Sequence, residues 1–507
     1  MAQIIASMFA ESPGQVLRQA RRAAMEGADW LELRLDLWPT SLDLAPLIEA
    51  IHLPVLAACR MPEDGGQFRG TVAERRSLLS MAIAAGAAGL DLEIDDPWAP
   101  PLGGTRLRLL VRSYHSFTGV PKELHSLRDR MHRAAGAVAK IVVSAHDLAD
   151  AAPVLDLLGS TDQNVQPTVA FAMGRTAWPT RVLAAMLGAP FVYGSIEAGQ
   201  ETAPGQLPVA LLRGLYRVRE LGSKTQLFGL LGNPALQSLG PWLHNRVFRR
   251  LGLDAVYLPF ETFRPEAVLA MLPAERLRGL SVTAPWKETM VQACNHLTPT
   301  AEATGVVNTI LVAAHGMRQG YNTDVAGVRE ALAAAGLGAG AGRRGVVLGA
   351  GGAARAGAVA LAEMGFAVTM LGRSLEPARE FAKAAGVQLG SMTAGVLEEL
   401  APAVILQATP LGSVGREPDE RPVPDYRFVP GTMVLDMVYQ PRWTRFLRDA
   451  AAQGAVVVPG AEMFLHQAAA QVELFTSACG GKAVAVATET LRSLLAGTAV
   501  GDAAQVS

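Results

Sequence analysis

Cysteine is scarce in this chain. Three are spread over 507 residues, Cys59, Cys294 and Cys479, with no CxxC pair. That excludes a disulfide framework and argues against a structural metal site, so a reducing cytoplasmic setting and no metal are expected. Charge is also sparse, at 18% of residues with a net charge of -1, which gives no electrostatic reason to bind nucleic acid. No apolar run reaches the roughly 18 residues of a membrane span. Met1 to Gly14 lacks a basic segment leading into an apolar one, so neither secretion nor membrane insertion is expected. Hydrophobic residues are plentiful, at 50%, and the length exceeds what one core usually organises. Several domains acting on small molecules fit these limits.

From Gln3 to about Phe191 short apolar runs alternate with stretches of helical period. The expected strands are 4–9, 30–37, 54–59, 89–94, 106–113, 137–144, 167–172 and 190–195. Strands alternating with helices in that number imply an α/β fold beginning with a (β/α)8 TIM barrel over residues 1–222. Chemistry in such barrels sits at the carboxyl ends of the strands. Glu32, Arg34 and Asp36 alternate along the second strand and share one face; a functional face and a salt-bridge network at the barrel mouth are both open. Arg60 and Glu93 extend this polar set, and His115 follows the expected fifth strand. Lys140 lies inside the apolar sixth strand. Desolvation there disfavours the ammonium and frees the lone pair for attack on a carbonyl, whereas snorkelling to water is hard to arrange inside a barrel.

These residues resemble the type I 3-dehydroquinate dehydratases. The resemblance rests on ELR at Glu32 to Arg34, CRMPEDGG around Arg60, DLE around Glu93, SYHSF around His115, AKI around Lys140 and TAPGQ from Thr202 to Gln206. It implies that Lys140 forms an imine with the C3 ketone of 3-dehydroquinate. It further implies that His115 moves the proton, with Glu93 holding the imidazole, and that Met173, Arg181, Thr202 and Gln206 shape the pocket. Thr202 stands where the family usually has serine.

A second segment, 225–335, opens with TQLFGLLGNP and presents Ser238 just before Gly240 and Pro241, which start a helix. Thr283 and Lys287 flank Pro285 on a turn, and Asn308 and Asp324 follow in VVNTI and GYNTD. A third segment, 340–459, begins with an apolar strand, the turn Gly349, Ala350, Gly351, Gly352, Ala353, a helix and a second strand. That is a Rossmann opening for a dinucleotide. Arg373 and Ser374 follow where an NAD enzyme usually has an acid, so NADP(H) is expected.

The order of these motifs resembles the shikimate dehydrogenases. The resemblance implies Lys287 and Asp324 as the catalytic pair, and Ser238, Gly240, Thr283, Asn308, Tyr439 and Gln467 around the substrate. Thr409 and Gly460 join the cofactor site, and helices within 460–494 pack back on the substrate domain. Gly240 replaces the second serine of the family's pair, which makes quinate, with its extra hydroxyl, an alternative substrate. Two further alternatives are a catalytically dead ligand sensor, against which all the reactive groups are retained, and generic aldol chemistry at the barrel lysine.

Overall fold

The computed structural model describes residues 1–39, 42–98, 107–133, 137–158, 166–313, 315–480 and 482–496. Contacts divide the chain into two compact units, Met1–Gln226 with Asp254–Leu272, and Leu227–Leu253 with Pro273 onward.

The first unit is a near-closed parallel barrel. Its strands are β1 (Gln3–Phe9), β2 (Trp30–Arg34), β3 (Val55–Ala58), β4 (Gly89–Glu93), β5 (Leu109–Ser116), β6 (Ala137–Ser144), β7 (Thr168–Met173) and β8 (Phe191–Ser195). They pair in chain order from β1 to β7, with β8 beside β1. Two boundaries differ from the expectation. β2 stops at Arg34, and Asp36 sits in a 3-10 turn, Leu35–Leu37. β5 runs on to Ser116, so His115 lies within the strand rather than after it, because its ladder with β6 continues through His115↔Val142 and Ser116↔Val143. Arg106, the expected start of that strand, lies outside the described residues.

The period of two sorts the barrel interior. Ile5, Trp30, Leu109, Val138, Val169 and Phe191 belong to one buried cluster toward the strand starts. Two to six residues further along each strand, at the same parity, stand Ser7, Glu32, Arg34, Asp91, Glu93, Ser113, His115 and Lys140. The strand ladders align Ser7 with Glu32, Glu93 with Ser113, and Ser113 with Lys140. An apolar floor therefore supports a polar layer at the carboxyl ends of the strands. Helices cover the outside with ordinary start and stop signals. Pro13 opens Pro13–Glu26, which ends at Gly27 with φ 92, and Thr71 and Glu74 form a capping box before Val72–Ala84.

In the second unit the strand Gln226–Gly232 runs parallel to Leu277–Val282, which pairs antiparallel with Thr309–Val312, itself antiparallel to Arg318–Tyr321. A separate sheet of six strands is parallel throughout. Its order from one edge is Gln388–Ser391, Ala367–Gly372, Arg344–Leu348, Val404–Gln407, Met433–Asp436 and Val456–Val458. Chain order reverses at Arg344–Leu348, and a nucleotide crevice forms beside such a reversal. The helix Gly460–Ala478 returns to the first of these sheets: Leu465, Ala468 and Val472 pack with Leu239, Leu243 and Val247, and Gln471 bonds Ser281 and Thr309.

Outside the polar layer the barrel buries a second charge cluster. Asp96 accepts hydrogen bonds from Arg75, from Arg76 at 2.9 Å and from the Trp98 N–H at 2.9 Å. Asp96→Ala would leave the buried Arg75 guanidinium uncompensated. It should cost the barrel about 3–5 kcal/mol in urea unfolding, and a loss below about 1 kcal/mol would show that the pair is not a support.

Candidate active sites

The barrel's polar layer surrounds a cavity of about 120 Å³. Of the residues singled out from sequence, Glu32, Arg34, Arg60, His115, Lys140, Met173, Arg181, Thr202 and Gln206 line it. Glu93 stands immediately behind His115, its carboxylate 3.0 Å from Nδ1. Lys140 is only 3% exposed, as its strand position requires, but it is not merely desolvated. Its Nζ donates to Asp91 Oδ2 at 2.9 Å, lies 3.6 Å from Glu32 Oε1, and sits over the ring of Tyr193 at 4.1 Å from the centroid.

Arg60 shares the same carboxylates, at 2.8 Å from Asp91, 3.4 Å from Glu93 and 3.8 Å from Glu32. Arg34 is engaged by Asp36 at 2.6 Å, so the salt-bridge reading of that trio holds for this pair, while Glu32 faces the lysine. Ser7 Oγ donates to Glu32 Oε2 at 2.5 Å.

Burial raises Asp91, but Lys140, Arg60 and the Ser113 hydroxyl outweigh it and hold its carboxyl well below the usual range. Glu93 goes the other way. Burial and then the neighbouring Asp91 carboxylate outweigh Arg60, pushing it up to about 7. His115 is held well below its ordinary value by burial and by the nearby Arg60 and Lys140 cations. Once the pair has lost its extra proton, Nδ1–H points to Glu93 and Nε2 is bare, which suits a general base.

Arg181 is fully buried and has no carboxylate partner among the described residues. Its Nη2 donates to the Pro204 carbonyl at 3.2 Å, its guanidinium stacks over Phe171 at 4.2 Å, and its Nε has no partner among the described residues. Burial pulls it down to about 9. An unpaired guanidinium facing a cavity is a receptor for a substrate carboxylate. Thr202 and Gln206 are tied together, the Thr202 N–H donating to Oε1 at 2.8 Å.

In the second unit Lys287 Nζ donates to Asp324 Oδ2 at 2.5 Å, and Asn308 Nδ2 donates to Asp324 Oδ1 at 2.8 Å. Asn322 caps the helix Thr323–Ala334, which fixes Asp324 in its first turn. Thr323 Oγ1 donates to Gln467 Oε1 at 3.3 Å, bringing the late helix into the cluster. Ser238 Oγ accepts the Gly240 N–H at 3.0 Å, and Tyr439 hydrogen-bonds Ser238 and stacks on Phe464 at 5.3 Å. Thr283 packs against Gly232, where a Cβ would lie 2.2 Å from its Cγ2.

The residues after Arg344–Leu348 fit a dinucleotide. Gly349 has φ 123, and a Cβ there would meet the Ala408 carbonyl oxygen at 3.1 Å; a Cβ on Gly351 would project into open space, and Gly352 starts the helix Gly352–Glu363. A side chain is thus kept off the path of a pyrophosphate approaching the helix end. Ala350 belongs to the same turn, whereas Ala353, expected in it, is already the second residue of that helix, and Arg373 and Ser374 are exposed after Ala367–Gly372. The Thr409 N–H donates to Gln407 Oε1 at 2.5 Å. Gly460 is packed against backbone, its Cβ position 2.5 Å from the Val438 carbonyl oxygen.

Asp91, Ser113 and Tyr193 were not picked out from sequence. Asp91 and Ser113 share the parity of residues that were, Glu93 and His115, so extending the two-residue period along β4 and β5 would have found them; no residue of β8 was chosen, and Tyr193 in Phe191–Ser195 carried no such signal. In the second site Thr323, whose hydroxyl bonds Asn308 and Gln467, lay beside the chosen Asp324 but read as an ordinary helix-start residue.

Fold and site together define two classes of enzyme in one chain, a lysine-bearing (β/α)8 lyase and a nicotinamide dehydrogenase. Residues 4–223 match the type I 3-dehydroquinase family, and residues 230–310 match the shikimate dehydrogenase substrate-binding domain. The chain is 31% identical to the chloroplastic bifunctional 3-dehydroquinate dehydratase/shikimate dehydrogenase of Arabidopsis thaliana, across 93% of this chain and 82% of that one. It is 39% identical to the NADP(+) shikimate dehydrogenase of Moorella thermoacetica, over 56% of this chain and 99% of the relative. Among solved structures, shikimate 5-dehydrogenase from Thermus thermophilus in complex with NADP(H) and shikimate is 31% identical, with a TM-score of 0.46, covering 55% of this chain and 99% of that one. The chain belongs to the family of bifunctional 3-dehydroquinate dehydratase/shikimate dehydrogenases.

Glu93 links the barrel's stability to pH. Its carboxyl titrates near 4.5 when unfolded and near 7 when folded, so the folded state binds the extra proton between these values. The stabilisation is fully present below 4.5 and lost as pH rises toward 7. Urea unfolding at stepped pH should show a shallower fall across that window in Glu93→Gln than in the wild type; equal slopes would remove Glu93 as its source.

Proposed function

We propose that the chain dehydrates 3-dehydroquinate in the barrel and reduces the resulting 3-dehydroshikimate to shikimate with NADPH in the second half. The observation that carries the first step is a buried lysine beside a histidine–carboxylate pair in a cavity that also holds Arg181, an arginine with no carboxylate partner among the described residues. The Lys140 amine adds to the C3 carbonyl and water leaves, giving an iminium. His115 takes the C2 proton, the electron pair moves toward nitrogen, and the enamine expels the C1 hydroxyl, which receives a proton from His115 and departs as water. Hydrolysis of the remaining imine frees Lys140. Arg181 holds the substrate carboxylate, with Gln206, Thr202 and Met173 closing the pocket, and Glu93 fixes the imidazole.

In the second half NADPH, when bound, supplies a hydride. Lys287 gives its proton to the developing alkoxide, and Asp324, bonded to Nζ, aligns it. Ser238, Thr283, Asn308, Tyr439 and Gln467 orient the substrate, Arg373 and Ser374 hold the 2′-phosphate, and Thr409 and Gly460 border the nicotinamide end. We assign a barrel domain to 1–222, a substrate domain to 225–335 with 460–494, and a cofactor domain to 340–459. The three cysteines, none in a disulfide, support a cytoplasmic location. Among the described residues no helix is long and apolar enough to cross a membrane.

Incubation with 3-dehydroquinate and NADPH should yield shikimate. Quinate as the main product would instead support the reading drawn from Gly240, which the relatives named above do not favour. Lys140→Ala should lower dehydration by roughly 10³-fold or more while supplied 3-dehydroshikimate is still reduced; dehydration near the wild-type rate would refute the lysine. Arg373→Ala should raise the KM for NADPH about tenfold and leave that for NADH nearly constant, and a parallel rise in both would discount a 2′-phosphate contact.

A further inference from the structure

Tyr193 has no role in the scheme above, yet it lies at the reacting nitrogen. It is on β8, level with Ile5 of β1, and only 2% exposed. Its ring faces Lys140 Nζ at 4.1 Å from the centroid, while Asp91 and Glu32 hold the nitrogen from their own sides at 2.9 and 3.6 Å. Its hydroxyl is buried, lacks a hydrogen-bond partner among the described residues, and belongs to the lining of the same cavity as Arg181. Burial, with the Asp91 and Glu32 carboxylates, holds the phenol well above its ordinary value, so the hydroxyl stays protonated and able to donate.

We propose that Tyr193 is a catalytic residue of the dehydratase, its ring carrying the positive charge of the Lys140 nitrogen after the imine forms and its hydroxyl bonding the bound substrate. This rests on Lys140 being the imine-forming lysine. The nitrogen remains at the end of the same side chain when ammonium becomes iminium, so the ring stays under it while the N–H groups available to Asp91 and Glu32 fall from three to one. Substrate entry also removes water from the cavity, and the attraction of a cation to an aromatic face grows as water is excluded. The ring therefore favours the covalent intermediate over the free lysine. A buried hydroxyl without a partner is costly, and a hydrogen bond from a ligand removes that cost.

Tyr193→Phe and Tyr193→Leu separate the two parts, because Phe keeps the ring and Leu keeps only apolar volume. Steady-state dehydration and borohydride trapping with 3-dehydroquinate, read by peptide mass, are measured on the full chain. Tyr193→Phe should raise KM about tenfold with kcat lowered less than about threefold. Tyr193→Leu should lower kcat about 30-fold and reduce the fraction of Lys140 trapped at saturating substrate. Leu matching Phe in kcat and trapping would overturn the ring's role, and an unchanged KM in Phe would overturn the hydroxyl's. If the wild type is trapped at a residue other than Lys140, the imine assignment fails and this proposal with it; Lys140 trapped equally in the wild type and Tyr193→Leu overturns the proposal alone.

Discussion

A lysine buried inside a near-closed parallel barrel has to be met by charge where it stands, because the interior neither solvates the ammonium nor offers a path to water. The barrel's polar layer follows from that constraint. Asp91 takes the lysine and Arg60 together, and Ser113 adds a hydroxyl donor to the same carboxylate. Glu32 stands on the second side and is itself held by Ser7. Asp91, Ser113, Glu32 and Ser7 come from four different strands and Arg60 from just past a fifth, so the arrangement exists only when these strands are in register.

The same layer sets two carboxylates to opposite tasks. Asp91, between two cations, is held as a carboxylate, whereas Glu93, desolvated and repelled by Asp91, takes up a proton easily at 3.0 Å from His115 Nδ1. A pair of acids two residues apart on one strand thus supplies a fixed anion for the lysine and a titrating partner for the base. Environment separates their roles, as the apolar floor beneath them excludes water and leaves charge pairing in control.

The second half uses a different device. Lys287 sits at a turn, close to the first turn of the cofactor helix, where a Cβ on Gly352 would lie 3.4 Å from its Cδ. Its partner Asp324 is fixed by a helix cap and by Asn308. Here a turn and a buried helix start converge, and precision comes from short side-chain hydrogen bonds rather than from placement along a parallel strand.

The sequence by itself determined the strand rhythm of the barrel, the glycine turn before Gly352–Glu363 and the lysine within β6, since periodicity and conformational demands are local properties. It also brought out most of the residues that line the barrel cavity, because chemistry-bearing residues interrupt apolar strands. It misjudged the end of β2 and the reach of β5, which ladder partners decide, and it passed over Asp91, Ser113 and Tyr193. Asp91 reads as one more acid in DLE and Tyr193 as one more core aromatic until register sets both beside Lys140. Whether Lys140 is bare or paired, and which of two neighbouring carboxylates keeps a proton, depends on distances between strands far apart in the chain. Those distances belong to the tertiary structure, because electrostatic energy in a dry interior is set by where charges lie in space and not by their order along the chain.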